Sequence, residues 1–279
     1  MTVILDGKVV AAKIRADVKA KASQLKVRPG LAAVLVGDSP SSQMYVKLKQ
    51  KACDEAGFYS QKHQLSADAS EESLLKLIRK LNADVRIHGI LVQMPLPKHI
   101  SVKSVVKAIA PEKDVDGFHP YNNGAVMDGE ERLVSATPKG IIRLLEEYGI
   151  GLEGMEAVVV NHTIVLGRPL AMLLMNRNAT VTVCNHKTRD LKAHTLGADV
   201  LISGAGVPNL IKSDMVRDGC VVVDAGISFV DGRTVGDVDF EAVKKKASHI
   251  TPVPGGVGPM TIAMLLENTL LAAGGFGEC

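Results

Sequence analysis

The chain reads as an α/β protein of two domains, each built on a parallel sheet. Short apolar runs alternate with helical patterns along most of the 279 residues, as in successive βαβ units with right-handed crossovers. The length exceeds what one hydrophobic core usually organises. A polar stretch, PEKDVDGFHPYNNGAV (111–126), interrupts the alternation near the middle. It is too polar for a core and has the Asp, Asn, Pro and Gly content of a boundary loop.

Each element has its own signal. LAAVLVG (31–37) reads as a buried strand, followed by a helix from about Ser41 to Ala56 that Gly57 ends. FYSQKHQL (58–65) is a weaker strand. Ser70 caps the next helix, with Glu71 and Glu72 complementing its dipole. GILVQMPLP (89–97) is a strand stopped by its prolines, and Ser101 opens another helix. Beyond the polar stretch, a helix from about Pro138 to Tyr148 leads into a second series of strands. These are EAVVV (156–160), TVTVC (180–184), ADVLISG (198–204) and CVVVDAGI (220–227). TPVPGGVGPM (251–260) precedes a last helix from Thr261 to Ala273.

Composition removes several function classes. Hydrophobic residues at 46% and charged residues at 23% fit a folded soluble chain and exclude a disordered one. A net charge of +3 gives no broad basic surface, and no Trp with four Tyr and five Phe leaves few stacking platforms, so nucleic acid is not an expected partner. Cys53, Cys184, Cys220 and Cys279 are widely spaced, which suits neither a zinc site nor a disulfide framework, and no metal is expected. The N-terminus lacks a signal-peptide apolar core, and no run of about 18 apolar residues is evident. A reduced, cytoplasmic protein without a membrane partner is expected.

The stretch VVVNHTIVLGRPL (158–170) poses the functional question. A buried strand enters a turn, and Arg168-Pro169-Leu170 opens a helix, with Pro169 suited to a first turn. In a Rossmann unit this loop receives a pyrophosphate on the free amides of the helix N-terminus. Asn161 stands where the first glycine is expected, tolerable because Asn enters left-handed backbone more readily than most residues, and Gly167 is the loop's one glycine. Where NAD-specific sites present an acid to the ribose, the chain continues Asn185-His186-Lys187-Thr188-Arg189. A basic, hydroxyl-bearing turn favours the 2′-phosphate of NADP. The alternative is an ordinary α/β domain with polar loops.

In the first half, Tyr45 and Lys49 are four apart on one helix and share a face. Such a pair commonly lies on a solvated surface. Gln93 within an apolar strand needs a partner, either as a satisfied core amide or at an outward-facing end. Asp114 and Asp116 flank Val115 in the polar stretch, where Asp more commonly caps a turn.

Taken together, YVKLKQKACDEAGF (45–58), HGILVQMPLPKHI (88–100), PEKDVDGFHPYNNG (111–124), LGRPLAMLL (166–174) and TPVPGGVGPMTIAMLLENTL (251–270) span nearly the whole chain. In this order and spacing they resemble the bifunctional methylenetetrahydrofolate dehydrogenase/cyclohydrolases. The resemblance implies a folate-binding catalytic domain over residues 1–120, completed by a C-terminal helix (261–279) that returns to it. It implies a Rossmann-like NADP-binding domain over residues 121–260. The implied chemistry is oxidation of 5,10-methylenetetrahydrofolate with NADP, then hydrolysis to 10-formyltetrahydrofolate, by an oxidoreductase and hydrolase of one-carbon metabolism that forms a homodimer.

By the same resemblance Lys49 is the central catalytic group, held by Gln93, with Tyr45 positioning the folate and Asp116 binding the pterin edge. Pro254, Gly255 and Gly256 approach the substrate. Asn161, His162, Thr163, His186, Lys187 and Ile227 contact the cofactor. Relatives commonly carry Gly-Arg-Ser where this chain has Asn161-His162-Thr163, and a serine at His186, so the cofactor contacts are altered. A dehydrogenase without hydrolysis and a non-catalytic folate or nucleotide binder are the rival readings, against which the retained Tyr45, Lys49, Gln93 and Asp116 argue.

Overall fold

A computed structural model describes residues 1–275. Residues 276–279, including Cys279 and the end expected of the last helix, lie outside the described residues. The chain divides into two compact units, one of residues 1–12 with 137–261, the other of residues 13–136 with those from Ile262 onward.

The smaller sheet has three parallel strands, in the order Tyr59–Leu65, Gly30–Val36, Gly89–Val92. Every residue of the central strand is buried, and so is every residue of Gly89–Val92, as expected for a parallel sheet covered on both faces. Ala32, Val34, Val36, Ile90 and Val92 pack on Leu74, Ile78 and Leu81 of the helix Glu71–Ala83. Ser70 caps that helix by accepting from the Ser73 amide, and Ser101 caps Val102–Ala108 in the same way through Ser104.

The larger sheet has six parallel strands, in the order Val3–Ile4, His249–Ile250, Val221–Asp224, Val200–Ser203, Glu156–Val160, Thr180–Cys184. From Glu156–Val160 the chain goes first to the strand on one side, then crosses to the strand on the other. That reversal is a topological switch point, where open α/β sheets bind ligands beyond the strands' carboxyl ends.

Two boundaries differ from expectation. Residues 1–12 join the larger sheet because Val3 and Leu5 donate to Ser248 and Ile250, at 2.8 and 2.9 Å, and the Asp6 amide donates to the Tyr148 hydroxyl at 2.8 Å. A two-residue strand carries no periodicity to read. Residues 121–136 stay with the unit of the three-stranded sheet, because the polar stretch is not a linker. Asp114, Val115 and Asn122 within it are buried. Asp114 accepts from the amides of Phe118 and His119 at 3.2 and 2.8 Å and from Asn122 Nδ2 at 2.9 Å. Polar side chains that satisfy one another and the backbone can be buried.

The last helix spans Val257–Gly274, so it begins before the expected Thr261. It is 18 residues long and is apolar enough by length and composition to cross a membrane. Half of it is buried within the protein, as in a soluble core helix. Its Asn268 is fully buried and donates to the carbonyls of Val115 and Val134 at 2.9 and 2.8 Å. Replacing it by Leu strands two buried carbonyls, each worth about 1–3 kcal/mol. Asn268→Leu is therefore expected to destabilise folding by about 2–6 kcal/mol, measurable by urea unfolding.

Candidate functional site

Lys49 sits on the helix Pro40–Glu55, which opens with proline in its first turn and turns Val46, Ala52 and Cys53 inward. Lys49 Nζ donates to Gln93 Oε1 at 3.2 Å. The strand Gly89–Val92 ends just before Gln93, whose amide still donates to Val34 O at 2.8 Å. Gln93 is thus at an outward-facing strand end. Its Nε2 is spent on the Met94 carbonyl at 2.8 Å, which leaves Oε1 turned to the lysine.

The electrostatics set this group apart. Burial holds the Lys49 ammonium below its ordinary pKa, with Asp116 and then Cys53 opposing the shift. Burial pushes the Asp116 carboxyl up to about 6, against the pull of Lys49 and with a further push from Asp114. Each charge is costly to desolvate. Among the described residues no hydrogen bond reaches the Asp116 carboxylate, whereas Asp114 is the turn cap. Cys53, one turn beyond Lys49, is pushed by burial up to about 12 and stays a thiol. Tyr45 is partly buried one turn before Lys49. Lys49, Gln93 and Asp116 therefore interact, and this unit also carries Tyr45.

Pro254, Gly255 and Gly256 belong to the other unit. The Gly256 amide donates to Pro252 O at 2.8 Å.

At the switch point the loop after Val160 is built differently from expectation. Asn161 is not left-handed; among the described residues the non-glycine residues with positive φ are Asn178, Asn209 and Asp231. Instead its side chain organises the turn. Oδ1 accepts from the Thr163 amide and hydroxyl, both at 2.8 Å, and from the Gly167 amide at 3.0 Å. Nδ2 donates to Gly204 O across the switch point at 2.5 Å. The amides of Leu166 and Arg168 are also engaged, by Thr163 Oγ1 and Thr163 O. The expected free amides at the start of the helix Gly167–Met175 are thus largely taken. Gly167 does the work of a close-packing glycine, since a methyl group there would lie 2.0 Å from Asn161 O.

Side chains make this turn basic. The His162 and His186 rings, from the loops after adjacent strands, lie 5.8 Å apart. Arg168 Nε donates to His162 O at 3.1 Å, placing a permanent cation on the same turn. Lys187 is exposed beside His186, and its amide donates to Asn185 Oδ1 at 2.8 Å. Asp190, the first carboxylate after Cys184, is occupied in capping the helix Leu191–Thr195. These residues suit a phosphorylated ribose, held by side-chain cations more than by helix amides.

Sequence reasoning passed over Arg168, read only as a helix start, and two buried acids. Asp224 and Asp237 are 3% and 0% exposed, and burial pushes Asp224 up to about 6. The available signal was a carboxylate closing the apolar run CVVVD.

The chain is similar to known proteins over nearly its whole length. The profile of the tetrahydrofolate dehydrogenase/cyclohydrolase catalytic domain matches residues 5–116. The profile of the NAD(P)-binding domain of that family matches residues 135–275. A Bifunctional protein FolD from Methanosarcina barkeri is 54% identical over 271 residues, 96% of this chain and 94% of its own length. The crystal structure of the bifunctional FolD dehydrogenase/cyclohydrolase from Campylobacter jejuni superposes with a TM-score of 0.96 at 50% identity, covering 98% of this chain and 99% of that one. The Trypanosoma brucei enzyme, solved with NADP and an inhibitor, gives 0.94 at 37% identity, covering 98% and 97%. The chain therefore belongs to the tetrahydrofolate dehydrogenase/cyclohydrolase family.

Proposed function

We propose that this protein oxidises 5,10-methylenetetrahydrofolate with NADP and hydrolyses the resulting 5,10-methenyltetrahydrofolate to 10-formyltetrahydrofolate. The observation that carries the reading is the Lys49–Gln93 hydrogen bond beside the Asp116 carboxyl, with the lysine pKa held low. Family membership supports it throughout.

In this reading bound NADP would supply the hydride acceptor, and the protein's part is to bind and orient. Asp116 accepts from the amino and ring N–H groups of the pterin, a donor pair that one carboxylate can bridge. Tyr45 packs on the folate. Hydrolysis needs a base. Lys49 in its neutral form takes a proton from water as the water oxygen adds to the methenyl carbon. The carbon–N5 bond then breaks, leaving the formyl group on N10, with one proton released overall. Gln93 Oε1 orients the amine for that transfer. A cationic substrate beside Lys49 further disfavours the ammonium form. The assembly in this reading is a homodimer, as the resemblance implies.

NADP is the cofactor, with His162, Arg168, His186 and Lys187 holding the 2′-phosphate. Each charged hydrogen bond to it is worth about 1.5–3 kcal/mol. The double variant His186→Ala/Lys187→Ala is expected to lower NADP affinity by roughly 100-fold or more, with NAD affinity little changed. Calorimetric titration of both cofactors checks this. Equal losses for NADP and NAD would remove these side chains from phosphate recognition. The overall reading is tested by following NADP reduction with methylenetetrahydrofolate, then loss of methenyl absorbance without cofactor. Reduction without hydrolysis would leave a dehydrogenase alone, and folate binding with neither would leave a binding protein.

A further inference from the structure

We infer that Asp237, backed by Asp224, is a positioning residue for the nicotinamide half of the cofactor; the inference rests on the NADP-dependent reading above. Asp237 is fully buried, yet its carboxylate holds a loop that is exposed. Oδ2 accepts from Ser203 Oγ at 2.8 Å and from the Ala205 amide at 2.5 Å, and Oδ1 accepts from the Val207 amide at 2.9 Å. Ala205 to Val207 is the loop after the strand Val200–Ser203, at the carboxyl end of the sheet and on one side of the switch point.

Asp224 does the same for the next loop. Its Oδ1 accepts from the amides of Gly226 and Asp237 at 2.9 and 3.0 Å, and its Oδ2 from the Val238 amide at 2.9 Å. One acid thus fixes the backbone of the other. Close approach is built in, because a methyl on Gly226 would lie 2.1 Å from Asp237 Oδ1 and one on Gly236 would lie 2.0 Å from Asp224 Oδ2.

What these acids hold in place is apolar and open. Val207 and Ile227 are 48% and 45% exposed on the two loops. Burying a carboxylate is expensive unless its hydrogen bonds are met, and the partners that meet them here are loop amides, so the two acids fix loop backbone. In a doubly wound sheet the first mononucleotide half, here the loops after Val160 and Cys184, takes the adenosine side. The loops after Ser203 and Asp224 continue into the other half, which takes the nicotinamide. Gly204 O links the halves through Asn161 Nδ2.

The test separates the two halves. In Asp237→Asn an amide N–H faces backbone donors, and dehydrogenase kcat should fall roughly 10- to 100-fold, as expected for a misplaced reactive ring. Binding of adenosine 2′,5′-bisphosphate, and hydrolysis of methenyltetrahydrofolate without cofactor, should both stay within about twofold, well inside the value of one hydrogen bond. A milder variant, Ser203→Ala, removes one donor and should lower dehydrogenase kcat roughly 2- to 10-fold, with the other two readouts unchanged. If Asp237→Asn does not fold, Ser203→Ala decides. Unchanged dehydrogenase in a folded variant overturns the inference, and so does a parallel loss of all three readouts. A wild-type protein that fails to reduce NADP overturns the reading beneath it and the inference with it.

Discussion

Lys49→Met is expected to remove hydrolysis of methenyltetrahydrofolate while leaving a folded protein and a measurable dehydrogenase. The two steps differ in protons. Hydride transfer from methylenetetrahydrofolate to NADP yields the methenyl cation directly, and no base is required. Hydration releases a proton that something must take from the attacking water. In the three-stranded unit the group equipped for this is Lys49, whose ammonium is disfavoured by burial and whose amine is oriented by Gln93 Oε1 at 3.2 Å. A positioned general base contributes about 10²- to 10⁴-fold, so hydrolysis should fall by that factor. Lys49→Arg should be equally inactive in hydrolysis, because a guanidinium keeps its charge and cannot accept the proton. Stopped-flow measurement of methenyl absorbance gives the rates. Hydrolysis near the wild-type rate in either folded variant would remove Lys49 from the chemistry.

The parts of this protein that were readable in its sequence are those in which local pattern and burial coincide. Gly30–Val36 and Gly89–Val92 are apolar runs without alternation, and both are wholly buried. Ser70 and Ser101 announce their helices because a cap acts within three residues. The i,i+4 spacing of Tyr45 and Lys49 is equally local, and it placed both on one helix face. What could not be read depends on partners distant in sequence. Val3–Ile4 becomes a strand only by pairing with His249–Ile250. The 111–126 stretch looks like a linker until Asp114 and Asn122 are seen to satisfy each other. Asn161 looks like a poor substitute for glycine until its carboxamide is seen to fill the turn and reach Gly204. Polar residues that replace backbone contacts leave no periodic signature.

Asp116→Asn is expected to abolish useful folate binding while sparing the cofactor. The carboxylate is held at a cost, since burial pushes its pKa up to about 6, and no hydrogen bond among the described residues offsets that. A pterin edge would supply the missing donors. In the asparagine variant one acceptor becomes a donor facing donors, and the loss of a charged hydrogen bond with an unpaired group costs about 2–4 kcal/mol. That is roughly 30- to 1000-fold in Kd. The raised pKa adds a pH signature whose sign is fixed. The binding form is the deprotonated carboxylate, so wild-type folate affinity should hold above pH 6 and weaken as pH falls through about 6. The asparagine variant has no proton to gain there and should show no such weakening. Fluorescence titration of a folate analogue between pH 5 and 8, alongside NADP titration, reads both effects. Loss of folate and NADP affinity together would mark Asp116 as a structural residue. A wild-type folate affinity flat through pH 6 would separate the carboxylate from the pterin.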